Sequence, residues 1–526
     1  MTARALAVGA LLALAAGCSR TESPPAPVAA TRAPRVADRG AAADRCLERE
    51  AATEGADPER ALDAYRAALA ADPGLACVAY RIARFPDHGE VPPDERRRAI
   101  AGADGASLLE PARQVLGGWA ARLEGRADAA LEAWEMAASL APGDLDPASA
   151  LGEHLWHATR VEEALPWLLR ASALDPGFQR HAPHLLEALP LLDRGDEALA
   201  LARRAVELAP GSERNRRLLA SMLVGAAAYR EALQEVSRVA SAHRDEPALT
   251  VRMLLGVLVP AGRLEEAETI TRALAAGPER DRLLAEVLVR QGRVREALAL
   301  AGPGSALDLE EARAVTARSR VVWHGALGER PEAASAARAL ERSERAGDVL
   351  VAGLALADAG AVEEAARLAS RASELGARSS CPGDDWARCD PRGLGTLSAV
   401  LRFRSGPASA RAAALAELAA LGRSRLDLAT CWHGALAAEA GRDAEAVEAL
   451  RRCSRSAAGQ DAVMGPRARF LAARSLARLG RPDDAREELA PVTAAWKHAD
   501  RDLRCAREAM ALAARLAPAV PAGAPP

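Results

Sequence analysis

Lysine is almost missing from this chain. Lys497 is the only one in 526 residues, and arginine supplies the rest of the basic side chains. Codon bias in a GC-rich genome accounts for that preference without any site. Aromatic residues make up 3% of the chain, while alanine and leucine dominate, as helices that touch closely require. Alternating apolar and polar runs do not occur, which excludes a β-sheet reading and leaves an all-α chain. A formal net charge of −3 excludes nucleic-acid binding driven by bulk charge. No P-loop, GxGxxG, HExxH or serine elbow is found. The chain therefore reads as a non-enzyme, with no cofactor and no metal.

What is present is a period. Ala130, Ala164, Ala198 and Ala232 are 34 residues apart, Ala267 follows at 35, Ala297 at 30, Ala333 at 36 and Ala365 at 32, with Ala446 and Ala485 further on. Most sit behind a glutamate, as in Glu163-Ala164 and Glu266-Ala267. A period near 34 means a stacked array of helix pairs, each propped by its neighbours. Residues 248–278 show the grammar. An apolar helix ends at Ala261-Gly262-Arg263, a second helix runs from Leu264 to Ala275, and Gly277-Pro278 closes it. Pro142, Pro176 and Pro210 each stand 12 after an anchor alanine, and Ala61 and Pro73 keep that interval. The anchor must be small, because the first helix crosses there.

With turn glycines Gly125, Gly262, Gly292, Gly441 and Gly480, the anchor alanines and the proline stops, the chain resembles the tetratricopeptide repeat family over residues 43–376 and 424–516. The large aromatics of the family's first helix are mostly Leu or Ala here. The resemblance implies an α-solenoid, a right-handed superhelix of about ten or eleven helix pairs whose first helices line a concave groove. The composition of 377–393 (Cys381-Pro382-Gly383, Pro391-Arg392-Gly393) reads as a loop or elbow between the array at 43–376 and further repeats with a capping helix at 394–516. Residues 517–526 read as a disordered tail.

At the N-terminus, Arg4 precedes an apolar stretch over residues 5–16, too short for the ~20 residues of a membrane span, and then Gly17-Cys18-Ser19. This pattern resembles a bacterial lipoprotein signal. The resemblance implies removal of residues 1–17, lipidation of Cys18 and, with Ser19 following, an outer-membrane address. An ordinary secretory signal is the other reading. Residues 18–42, rich in Pro, Ala and Arg, read as a flexible tether.

Seven cysteines remain in a chain expected to be exported, where disulfides persist. Cys431 and Cys453 flank Gly441 across one helical hairpin. Cys381 and Cys389 bracket the loop, Cys46 and Cys77 lie on neighbouring first helices, and Cys505 is left over. Cysteine is also a good small core residue, and the spacing fits no common zinc knuckle. His154, His157, His181 and His184 fall on adjacent first helices, where they could face one groove or lie as ordinary surface residues. Trp323-His324-Gly325-Ala326-Leu327 recurs as Trp432-His433-Gly434-Ala435-Leu436, a shared packing device.

Counting back fifteen from successive anchors reaches Arg217, Arg252 and Arg282, and eighteen back reaches Arg180 and Arg214. These guanidiniums form a candidate partner-binding row suited to carboxylates, with Trp156 and Trp119 on the preceding repeats. Glu187 and Glu286 stand to neutralise part of it, and a solvated face of ion pairs is the plainer reading. The expected function is a membrane-anchored scaffold holding a protein or peptide in its groove, with no nucleic-acid partner. The alternative is an enzyme or enzyme subunit acting on envelope polymer.

Overall fold

The computed structural model describes residues 58–85, 91–103, 108–158, 160–174, 182–302, 313–378, 391–421, 428–455 and 464–517. Cys18, Cys46, Arg180, His181, Cys381 and Cys389 lie outside them, as do the expected signal, tether and elbow loop. Three helices open the described chain: α1 (Pro58–Ala71), α2 (Ala76–Ala83) and α3 (Pro93–Ala103). The next eight are α4 (Glu110–Leu123), α5 (Ala127–Leu140), α6 (Leu145–His157), α7 (Val161–Leu174), α8 (Ala182–Leu191), α9 (Gly195–Leu208), α10 (Glu213–Gly225) and α11 (Tyr229–Ala240). Then come α12 (Pro247–Leu258), α13 (Leu264–Arg272), α14 (Pro278–Arg290), α15 (Val294–Leu300), α16 (Arg313–Leu327), α17 (Arg330–Ala337), α18 (Ala346–Ala359) and α19 (Val362–Arg378). The last are α20 (Pro391–Ser405), α21 (Ala408–Ala420), α22 (Leu428–Glu439), α23 (Asp443–Arg455), α24 (Met464–Arg478), α25 (Pro482–Ala495) and α26 (Arg504–Leu516). No strand occurs among the described residues. The chain is an all-α solenoid, and its described residues form eleven helix pairs from α4–α5 to α24–α25.

The period has one physical cause, repeated. Every anchor alanine from Ala61 to Ala485, including Ala198, Ala267 and Ala446, is 0% exposed. Each sits where the first helix of its pair crosses the second. Five residues before the anchor the backbone turns left-handed, at Gly125, Gly262, Gly292, Gly328, Gly360, Gly441 and Gly480. The next residue donates its N–H to a carbonyl five residues back, as in Arg263 to Leu258 (2.9 Å) and Arg442 to Ala437 (2.9 Å). This is the six-to-one bond that closes a helix C-terminus. Asp193 (φ 59°) and Ala227 (φ 56°) hold the same position without glycine.

The turn also explains the glutamate before the alanine. It lies in the first turn of the second helix, where a negative charge opposes the helix dipole favourably. It also binds the arginine three residues earlier: Arg160 to Glu163 (2.6 Å), Arg194 to Glu197 (2.7 Å), Arg293 to Glu296 (2.6 Å) and Arg442 to Glu445 (2.7 Å). The recurring Trp-His-Gly-Ala-Leu follows the same economy. Gly434 lets α23 approach, since a Cβ there would lie 2.7 Å from Leu450 Cγ. His433 Nε2 lies 2.6 Å from Glu445 Oε1, and His324 Nδ1 lies 2.7 Å from Glu329 Oε2.

Even-numbered helices from α4 to α14 and from α16 to α26 pack on the even-numbered helix of the next pair, while the odd-numbered ones do not do so comparably. The first helices therefore crowd the inside of the curve. Stacking continues past residues 379–390, because Leu397 of α20 packs over Gly353 of α18. One apolar core then runs from Leu284 to Leu512.

Candidate functional site

The inner face differs between the middle of the array and its C-terminal pairs. On α10 and α12, Arg217, Ser221 and Gly225, then Arg252 and Gly256, point to solvent. No atom lies within 4 Å of where a Cβ would stand at Gly225 or Gly256. Small residues make the floor and arginines its rim. Arg217 makes no ion pair with a described residue, and Arg214 beside it is half-buried. Arg252 and Arg282 do not stand as bare cations. Both donate to Glu279, which opens α14, and Arg282 also donates to Glu286 at 2.8 Å. The Arg282 guanidinium, and then that of Arg252, holds the Glu279 carboxyl below its ordinary value. The expected row is thus positive at Arg217 and an alternating ladder beyond it. Glu279 stands eighteen before Ala297, the register that also holds Arg180 and Arg214, and it reaches Arg252 from the next repeat.

Trp156 does not belong to this surface. It is fully buried and stacks on His184 at 5.6 Å between ring centroids. Trp119 is likewise buried, edge-on to Trp134 at 5.3 Å with the Arg96 guanidinium 4.4 Å from its ring centroid. Both tryptophans are core packing, as are Trp323, Phe403, Trp432 and Phe470 on later first helices. His154 and His184 are also buried, so they do not line a groove. Burial, then the nearby Arg122 and Arg160, push His154 down to about 3. The His184 ring meets His157 at 5.0 Å and lies 3.8 Å from Glu153. No group of three potential metal ligands occurs among the described residues.

The inner face of the C-terminal pairs is occupied by its own side chains, which differs from an open trough along the whole array. Asp358, at the end of α18, accepts from Arg467 of α24 at 2.5 and 2.8 Å and from Arg404 of α20 at 3.1 Å. Arg404 also donates to both oxygens of Glu439, each at 2.6 Å. The Arg467 guanidinium lies 5.7 Å from the Trp432 ring centroid. Burial opposes the charge on Asp358, but Arg467 and Arg404 outweigh it and hold the carboxyl low.

Cys431 and Cys453 form a disulfide across the α22–α23 hairpin, with Cα atoms 4.9 Å apart. Cys77 is disulfide-bonded, and Cys46, the partner proposed for it from sequence, lies outside the described residues. Cys505 carries a free thiol, raised by burial. No helix among the described residues is long and apolar enough to cross a membrane.

No family model matches this chain, and no curated protein matches it. Among solved structures it is similar to one of Naa15/Naa10 bound to HypK-THB, at 18% identity over 76% of this chain and 66% of that one, with a TM-score of 0.25. The P58(IPK) TPR domain shares 16% identity over 78% and 98% of the two chains, with a TM-score of 0.21. The human IFIT1 dimer with PPP-AAAA shares 16% over 84% and 99%, with a TM-score of 0.31.

Proposed function

We propose that this chain is a helical-repeat scaffold of the tetratricopeptide kind, tethered to the bacterial envelope by lipid on Cys18. It binds a protein or peptide segment on the inner face of α10, α12 and α14. The observation that carries this reading is the contrast between the middle of the array and its C-terminal pairs. Residues 213–290 offer an open floor at Ser221, Gly225 and Gly256 beside an uncompensated Arg217. The same face of the C-terminal pairs is filled by Asp358, Arg404 and Arg467. The partner that fits carries a carboxylate for Arg217 and small or extended segments over the glycines. Charge-assisted bonds to arginine favour carboxylates in this geometry.

Two substitutions test the reading. Arg217→Glu with Arg252→Glu should abolish recovery of the partner in a crosslinking pull-down from the native envelope, with an unchanged circular dichroism melt. Recovery equal to wild type would remove this face from binding. Cys18→Ser should release the protein from membranes, and pelleting that survives an alkaline wash would contradict the lipid anchor.

A further inference from the structure

The solenoid touches itself. The segment joining α25 to α26 lies against the turn between α14 and α15, some 205 residues earlier. The Asp500 N–H donates to the Gly292 carbonyl at 2.9 Å. The Arg295 N–H donates to Asp500 Oδ2 at 2.9 Å. The Arg295 side chain binds Asp502 and also Glu329 at 2.9 Å. Lys497, the only lysine in the chain, binds Glu265 at the start of α13.

The receiving turn is built for this. A Cβ at Gly292 would lie 2.6 Å from Ala499 Cβ and 3.1 Å from Trp496 Cδ1. The equivalent glycines Gly262, Gly441 and Gly480 have nothing within 4 Å. Gly292 therefore satisfies two demands, a left-handed turn and the close approach of a distant strand of chain. Six helix pairs, α14–α15 to α24–α25, lie between the two contacting segments, and they bring the segment after α25 back to the α14–α15 turn.

We propose that this contact is a releasable clasp that controls access to the inner face of the C-terminal pairs. The repeat interfaces bury alanine and leucine along whole helices. The clasp instead rests on one backbone–backbone bond, one backbone N–H to the Asp500 carboxylate, a small apolar patch of Trp496 and Ala499 over one glycine, and ion pairs at exposed side chains. Lys497 and Glu265 are 49% and 72% exposed, and Arg295 and Asp502 are 53% and 43% exposed. Exposed pairs of this kind are individually weak and screened by salt. Closed, the turn holds Asp358, Arg404 and Arg467 together inside it. Open, it lets water reach those charges and widens the inner face. Raising ionic strength or reversing charge at the clasp should therefore open the solenoid without unfolding any repeat.

The single lysine makes the test specific. A carbodiimide activates a carboxylate, and the Lys497 amine displaces the urea to form an amide, which joins 497 to 265 with no spacer. Peptide mass spectrometry of the full-length protein should find the 497–265 product at low salt. Its yield should drop at least about fivefold near 1 M salt, where screening extends over only ~3 Å. Lys497→Glu should remove the product and enlarge the radius of gyration by small-angle scattering. Lys497→Glu with Glu265→Lys should restore both. Ala499→Trp, which overfills the space above Gly292, should give the enlarged particle at every salt concentration with helix content unchanged. If the product is insensitive to salt and the radius is insensitive to both salt and Lys497→Glu, the contact is a permanent interface and the clasp is wrong. If no product forms at low salt although Lys497 takes up an amine reagent, the contact does not form and the proposal fails.

Discussion

Asp358 and Arg467 are 109 residues apart in sequence and share two hydrogen bonds, of 2.5 and 2.8 Å. The pair joins α18 to α24 across the inside of the solenoid, past α20 and α22. Removing one partner strands a charge that is largely cut off from water. A fully buried pair broken this way costs about 3–5 kcal/mol. Both side chains here keep some solvent contact, so Asp358→Ala should cost about 2–3 kcal/mol in urea unfolding. Arg467→Met with Asp358→Leu should cost less than either single change. An additive double mutant would show that the two groups do not interact. Because the Asp358 carboxyl is held below its ordinary value, its contribution is present above the unfolded-state pKa and is lost as pH falls through the folded value.

Ala227 occupies a left-handed turn that glycine fills in most repeats. Ala227→Gly should raise stability by about 0.5–1 kcal/mol, because relief of backbone strain outweighs the entropy gained by the unfolded chain. Gly262→Ala, the reverse change at the matching position, should lower it by about 1 kcal/mol. Denaturant midpoints with unchanged slopes would measure both. A loss on Ala227→Gly would mean that the turn is not strained.

His154 stays neutral in the folded chain down to about 3. The unfolded chain takes up that proton near 6.5. Between those values the unfolded state binds the proton and the folded state does not, so stability falls as pH drops through the window. The slope from one such group is at most about 1.4 kcal/mol per pH unit. His154→Leu should remove that slope when wild type and variant are compared between pH 6.5 and 4 at matched ionic strength. Parallel curves would show that His154 is protonated in the folded state.

Cys431 and Cys453 close a loop with a sequence separation of 22. Constraint of the unfolded chain by a loop of that size is worth about 3 kcal/mol. Dithiothreitol should lower the unfolding free energy by about that amount in wild type. It should do much less in Cys431→Ala/Cys453→Ala, provided the other cysteines are blocked. Equal shifts would place the effect elsewhere.

The repeats were legible because each is enforced locally. Ala198 must be small where helices cross, Gly262 must turn left-handed, and Glu266 pairs with Arg263 three residues earlier. Each constraint repeats at a fixed interval, so it leaves a period in the text. Cys431 and Cys453 were readable for the same reason, as two positions on one hairpin. The contacts of Asp358 with Arg467 and of Gly292 with Asp500 leave no such trace. They depend on a small rotation per repeat summed over several pairs, and no spacing in the chain encodes that sum. Arg252 and Arg282 fell on the expected row, but their compensation by Glu279 depends on how adjacent first helices are set against each other. Trp156 lies on a first helix but faces the core: it stands eight before Ala164, one residue off the exposed register of Arg217, Ser221 and Gly225 at fifteen, eleven and seven before Ala232. Ala198→Phe remains the plainest check on the repeat itself. It should lower the melting temperature clearly, at a cost of about 1–3 kcal/mol for overpacking.

The most direct test of where a partner sits is photo-crosslinking in native envelopes from a benzophenone side chain. It would be placed at position 221, on the open inner face beside Arg217, and separately at position 204, exposed on the outer helix α9. Adducts of one defined mass from position 221, competed by unlabelled protein and absent from 204, are the expected result. Equal labelling from both positions, or labelling from 204 alone, would contradict binding on the inner face.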